Sequence, residues 1–362
     1  MPAPVRNLII AHEDLRYQVA AEPVHNTLHS MMLLLRVDEL SGLDDWIVET
    51  AASLPKQTLQ EHAVILFGVH YAIVPKRSFD SFPAYLQYLA SADPEELSGK
   101  LLDIYLQFPP LEGAPADIQD VTKDDILVDV ETFLEFLRSR FKPELLFEDV
   151  ERKAFELLRN PERMQKEIVD HLTMMWEQYF QAEFERRQPI IDETVAAFSE
   201  IDLEGMSDEE AVRYVTGQWC DEMCSFIEEH EHIIFVPSPH TGPYTGPLMA
   251  GDTLWLMFSC RLPQGSPLGL SQVSRAELLV WLSALADDTR LHILATLRER
   301  GELCSQEIIS MLDTSQSTVS RHLRQLSASG YVREHRTEAG KCYRLNPERF
   351  EDTISALQSF VA

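Results

Sequence analysis

LCSQEIISMLDTSQSTVSRHLRQLSASGYVREHRTEAGKCYRL, residues 303–345 of this 362-residue chain, is the stretch that decides the fold. Its pattern predicts a short helix over 305–312, a polar turn, and a second helix over 316–326. Ser315 is the predicted N-cap of the second helix, because its hydroxyl can accept an unpaired backbone N–H. Gly330 is predicted to end that helix region, since glycine adopts the left-handed conformation without strain.

The second helix has two chemically different faces. Val319, Leu323 and Leu326 recur at helical spacing and predict a buried stripe. The other positions carry hydroxyl, amide and guanidinium groups, which are suited to reading base edges and phosphates. The candidate DNA-contacting residues of this helix and its cap are Ser315, Gln316, Ser317, Thr318, Ser320, Arg321 and Arg324.

A predicted β-hairpin follows. Residues 331–336 and 342–345 have strand character and are joined by a turn over residues 337–341. Such a hairpin beside a helix-turn-helix is a wing. Its basic residues Arg336, Lys341 and Arg344 are expected to contact phosphates or the minor groove and to contribute affinity more than sequence choice.

Four pieces of the sequence, in order, carry a resemblance to a known family. They are ALADDTRLHIL at 284–294, GELC at 301–304, residues 315–323 and residues 330–345. Together they resemble the winged-helix domain of ArsR-type bacterial repressors, over roughly the last quarter of the chain. The resemblance implies a winged helix-turn-helix that binds double-stranded DNA.

The same resemblance implies a homodimer, because in this family the first and last helices of the domain form the dimer contact. Both helices carry apolar stripes. The implied interface residues are Leu278, Trp281, Leu282, Phe350, Ile354 and Leu357. The alternative is that both stripes pack onto the N-terminal part of the same chain.

Two departures from the family pattern bear on function. Asp288 stands where the family usually has proline, and aspartate also favours the first turn of a helix. Metal-sensing members carry a Cys-x-Cys pair, whereas here Cys304 is followed by Ser305 and Gln306, and residues 346–362 contain no histidine. One thiolate cannot complete a tetrahedral site, so we expect neither of the family's two metal sites.

Length and composition predict two domains in a soluble protein. A chain of 362 residues exceeds the usual size of one core, and a linker-like segment places the boundary near residue 268. The predicted domains are 1–267, a sensor or assembly domain, and 268–362, the winged helix. No signal peptide or membrane-length apolar run is evident, which predicts a cytoplasmic protein. The five cysteines are scattered and do not suggest a disulfide framework.

The distribution of charge favours DNA binding by the C-terminal domain alone. The formal charge is −28, yet residues 272–362 carry 11 Lys and Arg against 12 Asp and Glu. The remaining 271 residues therefore carry about −27. Residues 315–344 have six basic and two acidic side chains, a local excess that suits a modest phosphate-binding surface.

The first 267 residues predict a mainly helical domain, which makes the whole chain mainly α (α+β). A short strand is predicted at 15–20 and a β-hairpin at about 232–262. Residues 160–255 resemble the uncharacterised helical domain that precedes some ArsR-type winged helices. Helices are predicted at 22–35, 43–52, 59–73, 83–89, 94–105, 124–141, 147–158, 161–187, 189–198 and 207–216.

Three other patterns admit a functional interpretation beside a structural one. Cys220, Cys224, His230 and His232 have ligand chemistry for zinc or an oxidant, but buried cysteines at a strand start explain them more simply. Residues 240–247 are a hairpin loop or a pocket rim. The aromatic set Trp176, Tyr179, Phe180 and Phe184 has the spacing of helix core or of a pocket lining.

These observations predict a DNA-binding transcription regulator, with a repressor acting on a two-fold operator as the leading hypothesis. The N-terminal domain would sense an unknown small-molecule or protein effector. We find no nucleophile elbow, Walker loop, dinucleotide fingerprint or HExxH pair, so neither enzyme activity nor a cofactor is expected. The alternatives are an adaptor whose acidic domain docks a protein partner, and an enzyme fused to a DNA-binding module.

Overall fold

A computed structural model describes residues 15–114, 121–143, 146–218, 224–263, 275–312, 314–337 and 340–361. Most of its N-terminal part is helical, as predicted. The helices are α1 Pro23–Leu33, α2 Asp45–Ser53, α3 Lys56–Ala63, α4 His70–Ile73, α5 Phe82–Ser91, α6 Pro94–Gln107, α7 Lys123–Ile126, α8 Val130–Arg140, α9 Glu148–Leu158, α10 Pro161–Met175, α11 Gln181–Phe198, α12 Asp208–Thr216 and α13 Cys224–Glu228. Two π-helical segments, Val64–Gly68 and Trp176–Phe180, continue α3 and α10.

The helix predicted over 59–73 is divided at Val69, α13 was not predicted, and two further helix predictions are wrong in their boundaries. The helix predicted over 124–141 is divided into α7 and α8, because the Asp129 side chain accepts a hydrogen bond from the Thr132 N–H and starts a new helix. The break predicted at Pro189 does not occur, and α11 runs through it. Proline has no N–H to donate to the carbonyl one turn earlier. Because Pro189 is exposed, that carbonyl can accept a hydrogen bond from water instead.

The predicted β-hairpin at 232–262 is also wrong. The strands are β1 Tyr17–Val19, β2 His232–Ser238, β3 Gly246–Ala250 and β4 Thr253–Ser259, in the order β1-β2-β4-β3. β2 runs parallel to both β1 and β4, and only β3 is antiparallel to its neighbour. The strand that was missed begins Gly246-Pro247, a pair that indicates a loop but is tolerated in an edge strand.

The sheet has helices on both faces. One face, with Trp255 and Met257, contributes to the large core of α1 to α11. The other face, with Phe235, Leu256 and Phe258, packs with residues of α12 and α13 and the end of α11. The predicted aromatic set belongs to the large core: Phe180 and Phe184 are buried in it, and Trp176 and Tyr179 pack against it.

The winged helix has a core of its own, formed by buried side chains between residues 278 and 356. Its helices and wing strands match the prediction, and a third short strand was missed. The elements are α14 Arg275–Leu285, α15 Asp288–Arg300, β5 Glu302–Cys304, α16 Ser305–Met311, α17 Gln316–Ala328, β6 Val332–Thr337, β7 Gly340–Leu345 and α18 Pro347–Val361. The three strands form an antiparallel sheet in the order β5-β7-β6.

The boundary that we predict near residue 268 lies outside the described residues. The described helices include none that is both long and apolar enough to cross a bilayer.

Buried histidines in the N-terminal core predict loss of stability in acid. Burial lowers the pKa of His29 and of His62 to about 3, and that of His171 to about 4. Each group ordinarily titrates near 6.5, so below that pH the unfolded chain binds protons that the folded chain does not. The stability is complete above about pH 6.5 and falls as the pH drops toward 4, by roughly 2 kcal/mol per histidine at pH 5.

Urea unfolding of the wild type at pH 7, 6 and 5 would measure this loss. We expect His29→Gln to reduce the pH dependence and His292→Gln, on the exposed face of α15, to leave it unchanged. An equal free energy of unfolding at pH 7 and pH 5 would contradict the prediction.

Candidate nucleic-acid interface

Helix α17 presents most of the predicted DNA-contacting side chains to solvent. Ser315, Gln316, Ser317, Ser320 and Arg324 are exposed, while Thr318 and Arg321 are half-buried. The Ser315 hydroxyl accepts the Thr318 N–H at 3.2 Å, which confirms it as the N-cap. The predicted apolar stripe of Val319, Leu323 and Leu326 is buried.

Gly330 has the backbone conformation predicted for it. Its φ is +79°, in the left-handed region, and it directly follows the cap residue Ser329. A β-carbon there would also meet the Arg349 guanidinium at 2.8 Å. Both observations explain why glycine ends this helix region.

The buried side of α17 also has two polar residues that the stripe did not predict, His322 and Gln325. Both lie near Arg290, whose side chain is buried. The Arg290 Nη1 donates to Gln325 Oε1 at 2.7 Å, and Nε donates to the Ala284 carbonyl at 2.7 Å. Arg290 thereby connects α14, α15 and α17, and fixes α17 against the helices behind it.

Asp287 completes this polar cluster and caps α15. Its side chain accepts the Arg290 N–H at 3.0 Å. Burial acts to raise the pKa of Asp287, but the Arg290 N–H and guanidinium lower it below its usual value. Burial lowers the pKa of His322, with the nearby Arg290 charge adding to the effect and Asp287 opposing it. His322 is therefore neutral near pH 7.

The wing has the predicted strands, and the charge of Lys341 is paired within it. Lys341 lies 2.6 Å from the Glu334 carboxylate on the neighbouring strand. Arg336 and Arg344 are exposed. Residues 338 and 339 lie outside the described residues.

The cysteine prediction needs a correction, because Cys304 and Cys342 form a disulfide. The two residues are 38 apart in sequence and stand opposite each other on β5 and β7. Their pairing depends on β5, the strand that was not predicted. The spacing of the cysteines in sequence therefore gave no indication that Cys304 and Cys342 are neighbours in the sheet.

The N-terminal domain contacts the second half of α17. Arg324 Nη1 donates to the Glu39 carbonyl at 2.9 Å, and Ala328 packs against the large core. Gly42, with φ +84°, lies so close that a β-carbon would meet Gln325 Nε2 at 2.6 Å. Helix α17 is thus held on one side by the core of the winged helix and on the other by the loop between α1 and α2.

The loop at 240–247 supports this contact and does not form an open rim. His240 and Thr241 are fully buried, and the Tyr244 hydroxyl donates to the Ser41 carbonyl at 2.8 Å. The loop therefore packs beneath the segment that touches α17.

The residues implied for the dimer contact are divided between core and surface. Leu278 and Trp281 were predicted as surface contacts, but both are buried within their own chain. Trp281 is covered in part by Arg349, whose guanidinium lies 4.3 Å from the ring centroid. Leu282 and Phe350 are half-buried against the core of the winged helix. The exposed apolar side chains of α14 and α18 are Leu279, Ile354, Leu357, Phe360 and Val361.

The candidate metal set is only partly described. Cys220 lies outside the described residues, as does the side chain of Cys224. The rings of His230 and His232 hydrogen-bond to the carbonyls of Phe226 and Leu15, at 2.6 and 3.2 Å. Within the described part of the chain, no three His, Cys, Asp or Glu side chains are grouped to hold a metal ion.

One constellation escaped the sequence reasoning altogether. Ser30 Oγ lies 2.9 Å from His240 Nδ1, and His240 Nε2 lies 3.3 Å from Glu183 Oε1. This is the connectivity of a serine–histidine–carboxylate triad, assembled from residues far apart in sequence. All three side chains are buried, so in this conformation no substrate reaches the Ser30 hydroxyl. The cluster joins α1, α11 and the 240–247 loop.

Comparison with known proteins gives the family. Residues 287–334 match the model of the bacterial regulatory proteins of the arsR family. The transcriptional activator HlyU of Vibrio cholerae is 32% identical over 96 residues, which are 26% of this chain and 88% of that protein. The chain belongs to the arsR family of bacterial regulatory proteins.

Two arsenic-resistance regulators of the arsR family match more strongly over a shorter length. Arsenic resistance transcriptional regulator ArsR1 of Pseudomonas putida is 42% identical over 64 residues, 18% of this chain and 50% of that protein. The arsenical resistance operon repressor of Escherichia coli is 44% identical over 63 residues, 17% of this chain and 54% of that protein. The chain thus spans about half the length of these arsenic-resistance relatives.

Proposed function

We propose that this arsR-family chain is a DNA-binding transcription regulator that uses the exposed first half of α17 as its recognition helix. The proposal rests on the combination of an exposed polar face, formed by Gln316, Ser317 and Ser320, with a buried side of the helix that Arg290 fixes. A rigid helix with hydroxyl and amide groups at its N-terminal end matches the geometry that reads base edges in a major groove. The relatives that match this region are transcription regulators by name.

The proposed regulator acts as a homodimer on a two-fold operator. One winged helix supplies a single recognition helix, and the strongly acidic remainder of the chain opposes DNA. The exposed apolar side chains of α14 and α18 supply a surface for a second copy. Repression follows if the operator overlaps a promoter.

The N-terminal domain, in this proposal, sets the DNA affinity in response to an effector. Its loop between α1 and α2 lies against α17 at Arg324 and Gln325, so a shift of that loop changes the recognition helix directly. An effector that binds one position of the loop better than another shifts the equilibrium between them. In the adaptor alternative the effector is a protein. A partner with a basic surface would be attracted by the acidic charge of the N-terminal domain.

The enzyme alternative has one observation in its favour, the Ser30–His240–Glu183 connectivity. The complete burial of Ser30 argues against it, since a nucleophile must meet its substrate. The buried cluster is better explained as the polar support of the loop at 240–247, which contacts the segment beside α17.

Removal of one guanidinium from the recognition helix tests the DNA interface. Arg321→Ala should weaken binding to duplexes selected from sheared genomic DNA by roughly 1–3 kcal/mol, because a charged contact to a base or phosphate is lost. Titration at several salt concentrations measures the effect. Arg298→Ala, which removes an equal charge from the exposed end of α15, is the matched control. Equal losses in the two variants would show that only net charge matters.

Charge placed on the exposed apolar surface tests the dimer. Ile354→Glu together with Leu357→Glu should convert a dimer at micromolar concentration into a monomer, because two carboxylates per chain would be buried in the contact. Sedimentation measures the state, and Leu291→Glu, at an exposed position on α15, should remain dimeric. A wild type that is monomeric yet binds a two-fold operator fully would refute this assembly.

A pair of glycine variants tests the contact between the N-terminal domain and α17. Gly42 and Gly113 have φ values of +84° and +87°, so alanine strains the backbone equally at both positions. Only at Gly42 does the new β-carbon meet Gln325; at Gly113 nothing lies within 4 Å. Gly42→Ala should therefore change the DNA affinity by about fivefold or more, and Gly113→Ala should not. Equal DNA affinities of the two variants would show that the contact between Gly42 and Gln325 does not affect DNA binding.

A further inference from the structure

The disulfide between Cys304 and Cys342 lies between the two parts of the winged helix that face DNA. Cys304 ends β5 and directly precedes α16, the first helix of the helix-turn-helix. Cys342 lies in β7, one of the two strands of the wing. The bond therefore connects the helix-turn-helix to the wing.

In a DNA-binding regulator, such a disulfide is expected to form only under oxidising conditions. A bacterial protein that binds genomic DNA works in a compartment where thiols are kept reduced, and disulfides there are mostly transient and catalytic or redox-sensing. We propose that Cys304 and Cys342 are a reversible thiol–disulfide switch that raises the DNA affinity of the winged helix when oxidised. This inference rests on the proposed DNA-binding function.

The two thiols differ in accessibility, which assigns their order of reaction. Cys304 is half-exposed and Cys342 is fully buried. The Cys304 thiolate attacks a hydroperoxide, the O–O bond breaks, and Cys304 becomes a sulfenic acid while the alcohol or water leaves. The Cys342 thiol then attacks that sulfur; the S–S bond forms and one water leaves with the Cys342 proton. The two thiols together lose two electrons, which reduce the peroxide. A cellular dithiol reverses the reaction by exchange.

The contacts around the pair explain how the bond affects DNA binding. β5 pairs with β7 over only three residues, and Ser305 Oγ, at the start of α16, donates to the Lys341 carbonyl at 3.0 Å. In the reduced protein the wing and α16 are joined by non-covalent contacts: this short strand pairing, the Ser305 hydrogen bond and the packing of Leu303, Ile308 and Tyr343 in one core. The disulfide adds a covalent link between β5 and β7, so the wing strands lose less conformational freedom when Arg336 and Arg344 meet DNA.

Cys260 is a suitable control thiol. It is buried, and burial raises its pKa to about 12, so it supplies almost no thiolate at neutral pH. Cys220 and Cys224 lie in a separate part of the sequence, 80 or more residues before Cys304. A redox response that originates at Cys304 and Cys342 should survive the removal of each of these other thiols.

The experiment compares full-length protein treated with hydrogen peroxide and protein treated with dithiothreitol. Thiol labelling and mass spectrometry identify the Cys304–Cys342 bond, and titration with a duplex of about 30 base pairs, selected from a random library, measures affinity. We expect the oxidised protein to bind at least about fivefold more tightly. Cys304→Ser should bind equally under both treatments, like the reduced wild type. Cys260→Ala, and Cys220→Ser with Cys224→Ser, should keep the wild-type difference.

Three results would overturn the switch: equal affinity of the oxidised and reduced wild type, tighter binding by the reduced form, or a response retained in Cys304→Ser. Cys342→Ala would test the same bond, but Cys342 is buried and its variant can be unstable. Cys304→Ser changes a half-exposed residue and is therefore the primary variant. Absence of DNA binding under both treatments would instead contradict the proposed DNA-binding function. Equal binding under both treatments would contradict only the redox switch.

Discussion

The buried guanidinium of Arg290 is the interaction on which the winged helix depends. A buried cation is costly unless its donors are all satisfied, and here the donors reach the carbonyls of Ser283 and Ala284 and the Gln325 side chain. These acceptors belong to the end of α14 and the buried side of α17. One side chain therefore links α14, α15 and α17 by hydrogen bonds, and its removal would leave buried acceptors on α14 and α17 without their donor.

The elements that sequence patterns predicted well are those whose signals are local. Ser315 and Gly330 mark the limits of α17 by their own chemistry, and the stripe of Val319 and Leu323 identifies its buried side. Residues that act at a distance were missed. Gln325 follows no apolar period because its partner is Arg290, 35 residues away, and Cys304 finds Cys342 only once β5 exists.

The N-terminal domain shows why a strand pattern predicts strands but not their topology. β2 and β4 have the β-branched and aromatic composition of buried strands, and this was sufficient to find them. Nothing in their own residues distinguishes a hairpin from two parallel neighbours, because that depends on the path of the chain between them. The Gly246-Pro247 pair was interpreted as loop, although the same pair forms the start of an edge strand. Burial of the His240 loop likewise depends on its distant partners Ser30 and Glu183.

The edges of the mixed sheet restrict how the protein can associate with itself. β1 has only three residues, and β3 contains Pro247, which has no N–H to donate to another strand. Within the described residues, neither edge offers a long row of free backbone groups to an extended peptide or to the same strand of another molecule. Both described edges of this sheet are thereby poor templates for edge-to-edge pairing with another molecule, which lowers the tendency of the apolar sheet to aggregate during folding.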